Sequence, residues 1–143
     1  MKRVGKAVII DPDNKHLLMR RSDHPRYPNE PDLPGGTCEP GESVIDATIR
    51  EVYEESAILL EEASLRHLYS GTEYSGSNTE YSLYAAHVPK RPEVTISWEH
   101  DSHDWVDEET FLKEAQASTD TFMHMAYDVI IKEKQKEGHA TTP

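Results

Sequence analysis

The chain has 143 residues, a formal net charge of -12 and one cysteine, Cys38. That length is enough for one domain with a real core. The acidity excludes general electrostatic binding to DNA, RNA or an anionic membrane, and a lone cysteine excludes an intrachain disulfide. No long apolar run marks a signal peptide or membrane span, so a cytoplasmic protein is expected, with a homodimer left open.

Ala7 to Asp11 and His16 to Met19 read as two short strands. The turn residues Asp11-Pro12-Asp13-Asn14-Lys15 between them imply a hairpin. This Asp-rich turn lacks the glycine and distal glutamate of a calcium loop. Arg20 and Arg21 close the second strand. Ser22 to Asp32, which includes Arg26 and Tyr27, is a polar, Pro-rich loop that either faces a substrate or simply covers the surface.

Leu33-Pro34-Gly35-Gly36 is a Gly-rich turn that leads into a loop ending at Glu42. A helix follows, with Ser43 as N-cap and Asp46 as its capping-box partner. At about 100° per residue, Ile45, Ile49, Val52 and Ser56 share one arc, and Arg50, Glu51, Glu54 and Glu55 share the opposite one. Carboxylates three and four residues apart repel one another. With no lysine among them, they suit Mg²⁺ or Mn²⁺, which take oxygen ligands. A solvated acidic face is the plain alternative.

Ser64 to Tyr74 and Thr79 to Val88 form a second expected hairpin. Tyr69, Tyr74, Tyr81 and Tyr84 either line a nucleobase pocket or pack on the sheet. Val94 to Trp98 alternates and reads as a strand. Glu99 follows, and the spacing of His100 and His103 beyond it matches no zinc pattern. Asp107 caps a short helix, Glu108 to Ala115. Asp120 caps a longer one whose buried stripe is Phe122, Met125, Ala126, Val129 and Ile130. Gly138 is read as the end of that helix, which gives one domain over 1–138 and a disordered tail over 139–143. This element order suits an α/β sandwich with a mixed β-sheet between helical layers.

The stretch from Gly36 to Ile58 resembles the Nudix box of MutT-like hydrolases, G-x5-E-x7-R-E-U-x-E-E-x-G-U with U aliphatic. Gly36, Glu42, Arg50, Glu51, Val52, Glu54, Glu55 and Ile58 meet it. Ala57 stands where the family has a glycine, and a left-handed Ala there costs roughly 1 kcal/mol. The resemblance implies the Nudix α/β/α sandwich. It also implies a hydrolase cleaving a pyrophosphate bond in a nucleoside diphosphate linked to another moiety, such as a nucleoside triphosphate or ADP-ribose. It further implies Mg²⁺ or Mn²⁺ held by Glu51, Glu54 and Glu55, with the Gly36 carbonyl as a further oxygen ligand. Arg50 paired with Glu42 would support them, and Glu99 would add a carboxylate. The general base stays open between Glu54 and Glu99. Arg20 and Arg21 are candidates for substrate phosphate. The tryptophan that many family members carry before the Leu-Pro-Gly-Gly run is replaced by Pro31. The alternative is a catalytically silent nucleotide-binding or regulatory domain, which has no need of a crowded carboxylate face.

Overall fold

Strand β1 (Lys2–Ile10) runs through the middle of the sheet. The computed structural model describes residues 1–22, 29–76 and 78–141, with 137–141 as backbone alone. Arg26 and Tyr27, singled out above, lie outside the described residues. β1 is buried on both faces: Ala7 and Ile9 point into one core, Val8 and Ile10 into the other. That two-sided burial explains its unbroken apolar run.

Strand β2 (His16–Arg21) meets β1 only at Ile10 opposite His16, so the expected hairpin is a corner from which the strands part. The Asp11 carboxylate builds the corner by accepting from the backbone N–H of Asp13 (2.8 Å) and Lys15 (2.9 Å). Beyond it, β2 pairs antiparallel with β3 (Pro31–Asp32) and β7 (His100–Val106). The first half of β1 pairs instead with β4 (Gly35–Thr37), antiparallel. On its other side β1 runs parallel to β6 (Thr79–His87), which forms the expected hairpin with β5 (Leu65–Gly71). The sheet is therefore mixed.

Helix α1 (Val44–Ser56) covers the face of Ala7, Ile9, Leu17 and Met19. Gly5 lets it come close: a Cβ there would lie 2.2 Å from Thr48 Oγ1. Helices α2 (Glu108–Ala117) and α3 (Thr121–Thr141) cover the face of Val8, Ile10, Leu18 and Leu83. Phe122, Met125, Ala126, Val129 and Ile130 are buried there, as the stripe predicts. The architecture is a mixed sheet between helical layers. Among the described residues no helix is long and apolar enough to cross a membrane.

Two expectations change. Val94 to Trp98 joins no strand. Its backbone instead caps the end of α1, with Thr95 N–H donating to Ser56 O (2.9 Å) and Ser97 N–H to Glu55 O (3.2 Å). Val94 and Ile96 pack on the α1-side core, which accounts for their alternation. And α3 passes through Gly138 to Thr141. A helical glycine costs only about 1 kcal/mol, and no proline follows it before the last residue.

Candidate active site

Ser43 caps α1 as read from the sequence, its hydroxyl accepting from Asp46 N–H (3.1 Å). The other end closes on Ala57, which adopts φ 63°, ψ 15° while its N–H donates to Tyr53 O. The helix thus ends where the family has glycine, with Ala held left-handed.

Arg50 is the hub of the exposed face. Its Nε donates to Glu42 Oε2 (2.8 Å) and a terminal nitrogen to Glu42 Oε1 (2.9 Å). Its other terminal nitrogen reaches Glu51 (2.7 Å) and Glu54 (3.3 Å). Thr37 O takes a further bond at 3.2 Å. The Arg50 hydrogen bonds bring the Glu42 carboxyl down to about 2, helped by Glu39 N–H. Arg50 itself is pushed up, chiefly by Glu42.

Gly36 sits against this lattice, and a Cβ there would fall 2.7 Å from Glu51 Cδ and Oε2. The backbone can approach the Glu51 carboxylate only because residue 36 has no side chain.

Glu55 departs from the expected common face. It is buried, 5% exposed, and accepts from Gly35 N–H at 3.2 Å. Burial pushes its carboxyl up to about 8; Lys6 and Gly35 N–H oppose the rise, and Asp32 and Glu99 add to it. Gly35 at the start of β4 and Lys6 of β1 meet the Glu55 end of the acidic arc. Glu51 and Glu54 remain at the surface, joined by Arg50.

The sequence reading missed the charges beneath. Lys6, on β1, is buried with its ammonium 2.7 Å from Asp32. Asp32 also meets His100 Nε2 (2.9 Å) and Arg21 (3.5 Å), and Arg21 reaches Asp120 (3.1 Å). Burial pushes Asp32 up, but Lys6, His100 and Arg21 outweigh it and hold the carboxyl below its usual range. The available signal was Lys6, a lysine placed directly against the apolar run 7–10 of β1. Arg20 pairs with Glu114, so both candidate phosphate arginines are engaged with acids. His100 is committed to Asp32.

Glu99 lies exposed on a turn, with its charge close enough to act on Glu55. Of the four tyrosines, Tyr81 and Tyr84 pack on the sheet, while Tyr69 and Tyr74 line a cavity of about 330 Å³ beside Lys132 and Lys136 of α3. Tyr84 is 8% exposed, Tyr74 O–H donates to Asp128, Tyr69 O–H bonds Glu73, and Tyr81 sits against Phe122. A cavity of about 400 Å³ opens at the far end of β1, lined by Ile10, His16, His87 and Glu108, away from the carboxylates.

Among the described residues no three His, Cys, Asp or Glu side chains converge as a metal cluster. The donor chemistry nevertheless fits a hard cation. Glu51, Glu54 and the Gly36 backbone supply oxygen alone, and Glu55 is a buried carboxyl whose charge a cation would stabilise.

A family model described as NUDIX domain matches residues 1–125. Over 62 residues the chain is 42% identical to the ADP-ribose pyrophosphatase of Methanocaldococcus jannaschii, covering 43% of this chain and 36% of that protein. Over 118 residues it is 32% identical to an octanoyltransferase of Myxococcus xanthus, covering 79% of this chain and 32% of that protein. The chain thus spans about a third of the length of these curated relatives. The MutT protein from Methanosarcina mazei Go1 superposes with TM-score 0.69 at 26% identity, over 94% of both chains. With the domain model spanning most of the chain, and the box residues assembled around Arg50 on a mixed sheet between helices, this protein belongs to the Nudix family.

Proposed function

We propose that this protein is a Mg²⁺- or Mn²⁺-dependent pyrophosphohydrolase acting on a nucleoside diphosphate linked to a second group, such as a nucleoside triphosphate or ADP-ribose. The observation that carries this reading is the Arg50 lattice, in which one guanidinium ties Glu42, Glu51 and Glu54 together beside the side-chain-free Gly36. A solvated acidic face would need no such arginine.

In this reading Glu51, Glu54, Glu55 and the Gly36 carbonyl hold the cation. When bound, it neutralises phosphoanhydride charge and lowers the pKa of coordinated water. Glu42 and Arg50 keep the ligand face in place through charge-assisted hydrogen bonds. Of the two candidates for general base, Glu54 is held by Arg50, whereas Glu99 has no ion pair among the described residues. Glu99 is therefore assigned to take the proton of the attacking water. Arg20 and Arg21 meet substrate phosphate by exchanging it for Glu114 and Asp120.

The test is a phosphate-release screen over nucleoside triphosphates, ADP-ribose, dinucleoside polyphosphates and nucleotide sugars, with Mg²⁺ and with EDTA. Turnover that appears with Mg²⁺ or Mn²⁺ and vanishes on chelation is expected. Turnover indifferent to EDTA overturns the reading.

A further inference from the structure

Trp98 is 86% exposed, the most open large apolar side chain of the described residues. Exposed apolar side chains are ordinary when scattered, but this one has a particular mount. Ser97 N–H donates to Glu55 O (3.2 Å), His100 N–H returns to Ser97 O (3.2 Å), and Ser22 N–H donates to Glu99 O (3.0 Å). His100 at the base of the turn is buried and bonded to Asp32. Trp98 and Glu99 therefore stand together at the tip of a turn fastened to the backbone of Glu55, and their distance from the carboxylate face is set.

Among the other large aromatics of the described residues only Tyr53, 54% exposed on α1, is also open to solvent, and the rest are committed elsewhere. Tyr84 is buried, Tyr74 and Tyr81 are bonded to α3 residues, and Trp105 packs against the α1-side core with Arg91 5.4 Å over its ring. Pro31 removes the aromatic upstream of the Gly-rich turn. A flat, solvent-facing indole on a fixed turn beside an anhydride-cleaving site is matched by a flat ring tethered to a phosphate chain. We propose that Trp98 stacks on the nucleobase of the substrate, so that the preferred substrates are nucleotides rather than phosphoanhydrides at large. Stacking supplies affinity without base identity, since every base has a π-face.

Only the kinetic arm of the test rests on the hydrolase reading. Trp98 and Trp105 are the only tryptophans, so emission reports on few sites. AMP has a base and no anhydride to cleave; ribose 5-phosphate lacks the base. Saturable quenching by AMP, none by ribose 5-phosphate, and loss of the AMP response in Trp98→Ala are expected. With a nucleotide substrate, Trp98→Ala should raise KM roughly 5- to 150-fold with kcat nearly unchanged, and Trp98→Phe should recover most of it. Equal responses to AMP and ribose 5-phosphate, or an unchanged KM in Trp98→Ala, overturn the proposal. So does a Trp98→Ala variant that keeps the AMP response and changes only self-association in sedimentation. If the parent cleaves no anhydride yet AMP quenches through Trp98, the hydrolase reading falls and the stacking stands.

Discussion

The Arg50 guanidinium grips the Glu42 carboxylate with two nearly parallel hydrogen bonds, at 2.8 and 2.9 Å. Arg50 also donates to Glu51, Glu54 and Thr37 O, so the pair acts as one unit with the ligand face. Arg50→Ala and Glu42→Ala should each lower activity or Mn²⁺ affinity roughly 10- to 100-fold, and the double variant should lose little more. Fully additive losses in a double-mutant cycle would argue against the pairing. With its pKa lowered to about 2, Glu42 contributes stability that is present above its unfolded value and lost as pH falls through about 2. Glu42→Gln should flatten that acid limb of a melting-temperature profile.

Gly36→Ala separates function from stability. Its Cβ would strike the end of the Glu51 side chain, which can swing away. The melting temperature should therefore stay close to the parent's, while Mn²⁺ affinity and turnover fall about tenfold or more as Glu51 leaves its place. Large unfolding with no change in metal affinity per folded molecule would contradict this.

Glu55 predicts an opposite pH limb. Its folded pKa, about 8, lies above the unfolded value. In EDTA its contribution is fully present below the unfolded pKa of about 4.3 and is lost as pH rises through about 8. Glu55→Gln should remove this alkaline loss. Mg²⁺ should flatten it in the parent by favouring the carboxylate. Melting profiles with and without EDTA check both.

Ala57→Gly should stabilise the protein by about 0.5–1 kcal/mol, because the left-handed backbone strain of Ala exceeds the extra unfolded-state entropy of Gly. Ala57 is exposed, so little packing is lost. A rise in melting temperature of roughly 3 °C is the expected readout; a fall would show that the residue's side chain matters more than its φ.

Glu99→Gln keeps the shape of the turn and removes its proton acceptor. If Glu99 is the general base as proposed, this variant should lose a factor on the order of 10²–10⁴ in turnover, with KM much less affected. Glu54→Gln should instead weaken Mn²⁺ binding. Parent-like turnover by Glu99→Gln would pass the role of base to Glu54.

The sequence by itself determined what is local in the helix frame. The Ser43 cap follows from residue type and spacing along one helix, and the left-handed end at Ala57 and the meeting of Glu42 with Arg50 were legible through the resemblance to the Nudix box, which lies in that same stretch. The buried stripe of α3 was legible because it needs only its own period. Tertiary structure decided the rest. Periodicity places Glu55 at an angle around α1, but the approach of Gly35 and Lys6 from the sheet decides that it is buried while Glu54 is not. Lys6, Asp32, His100 and Arg21 come from four strands, and only pairing of those strands joins their charges. Alternation in Val94 to Trp98 shows that the chain is extended, not what it bonds; its partners are the last carbonyls of α1, some 40 residues earlier. Hydrogen bonds and burial between distant segments depend on where the chain returns, which residue order along a single element does not encode.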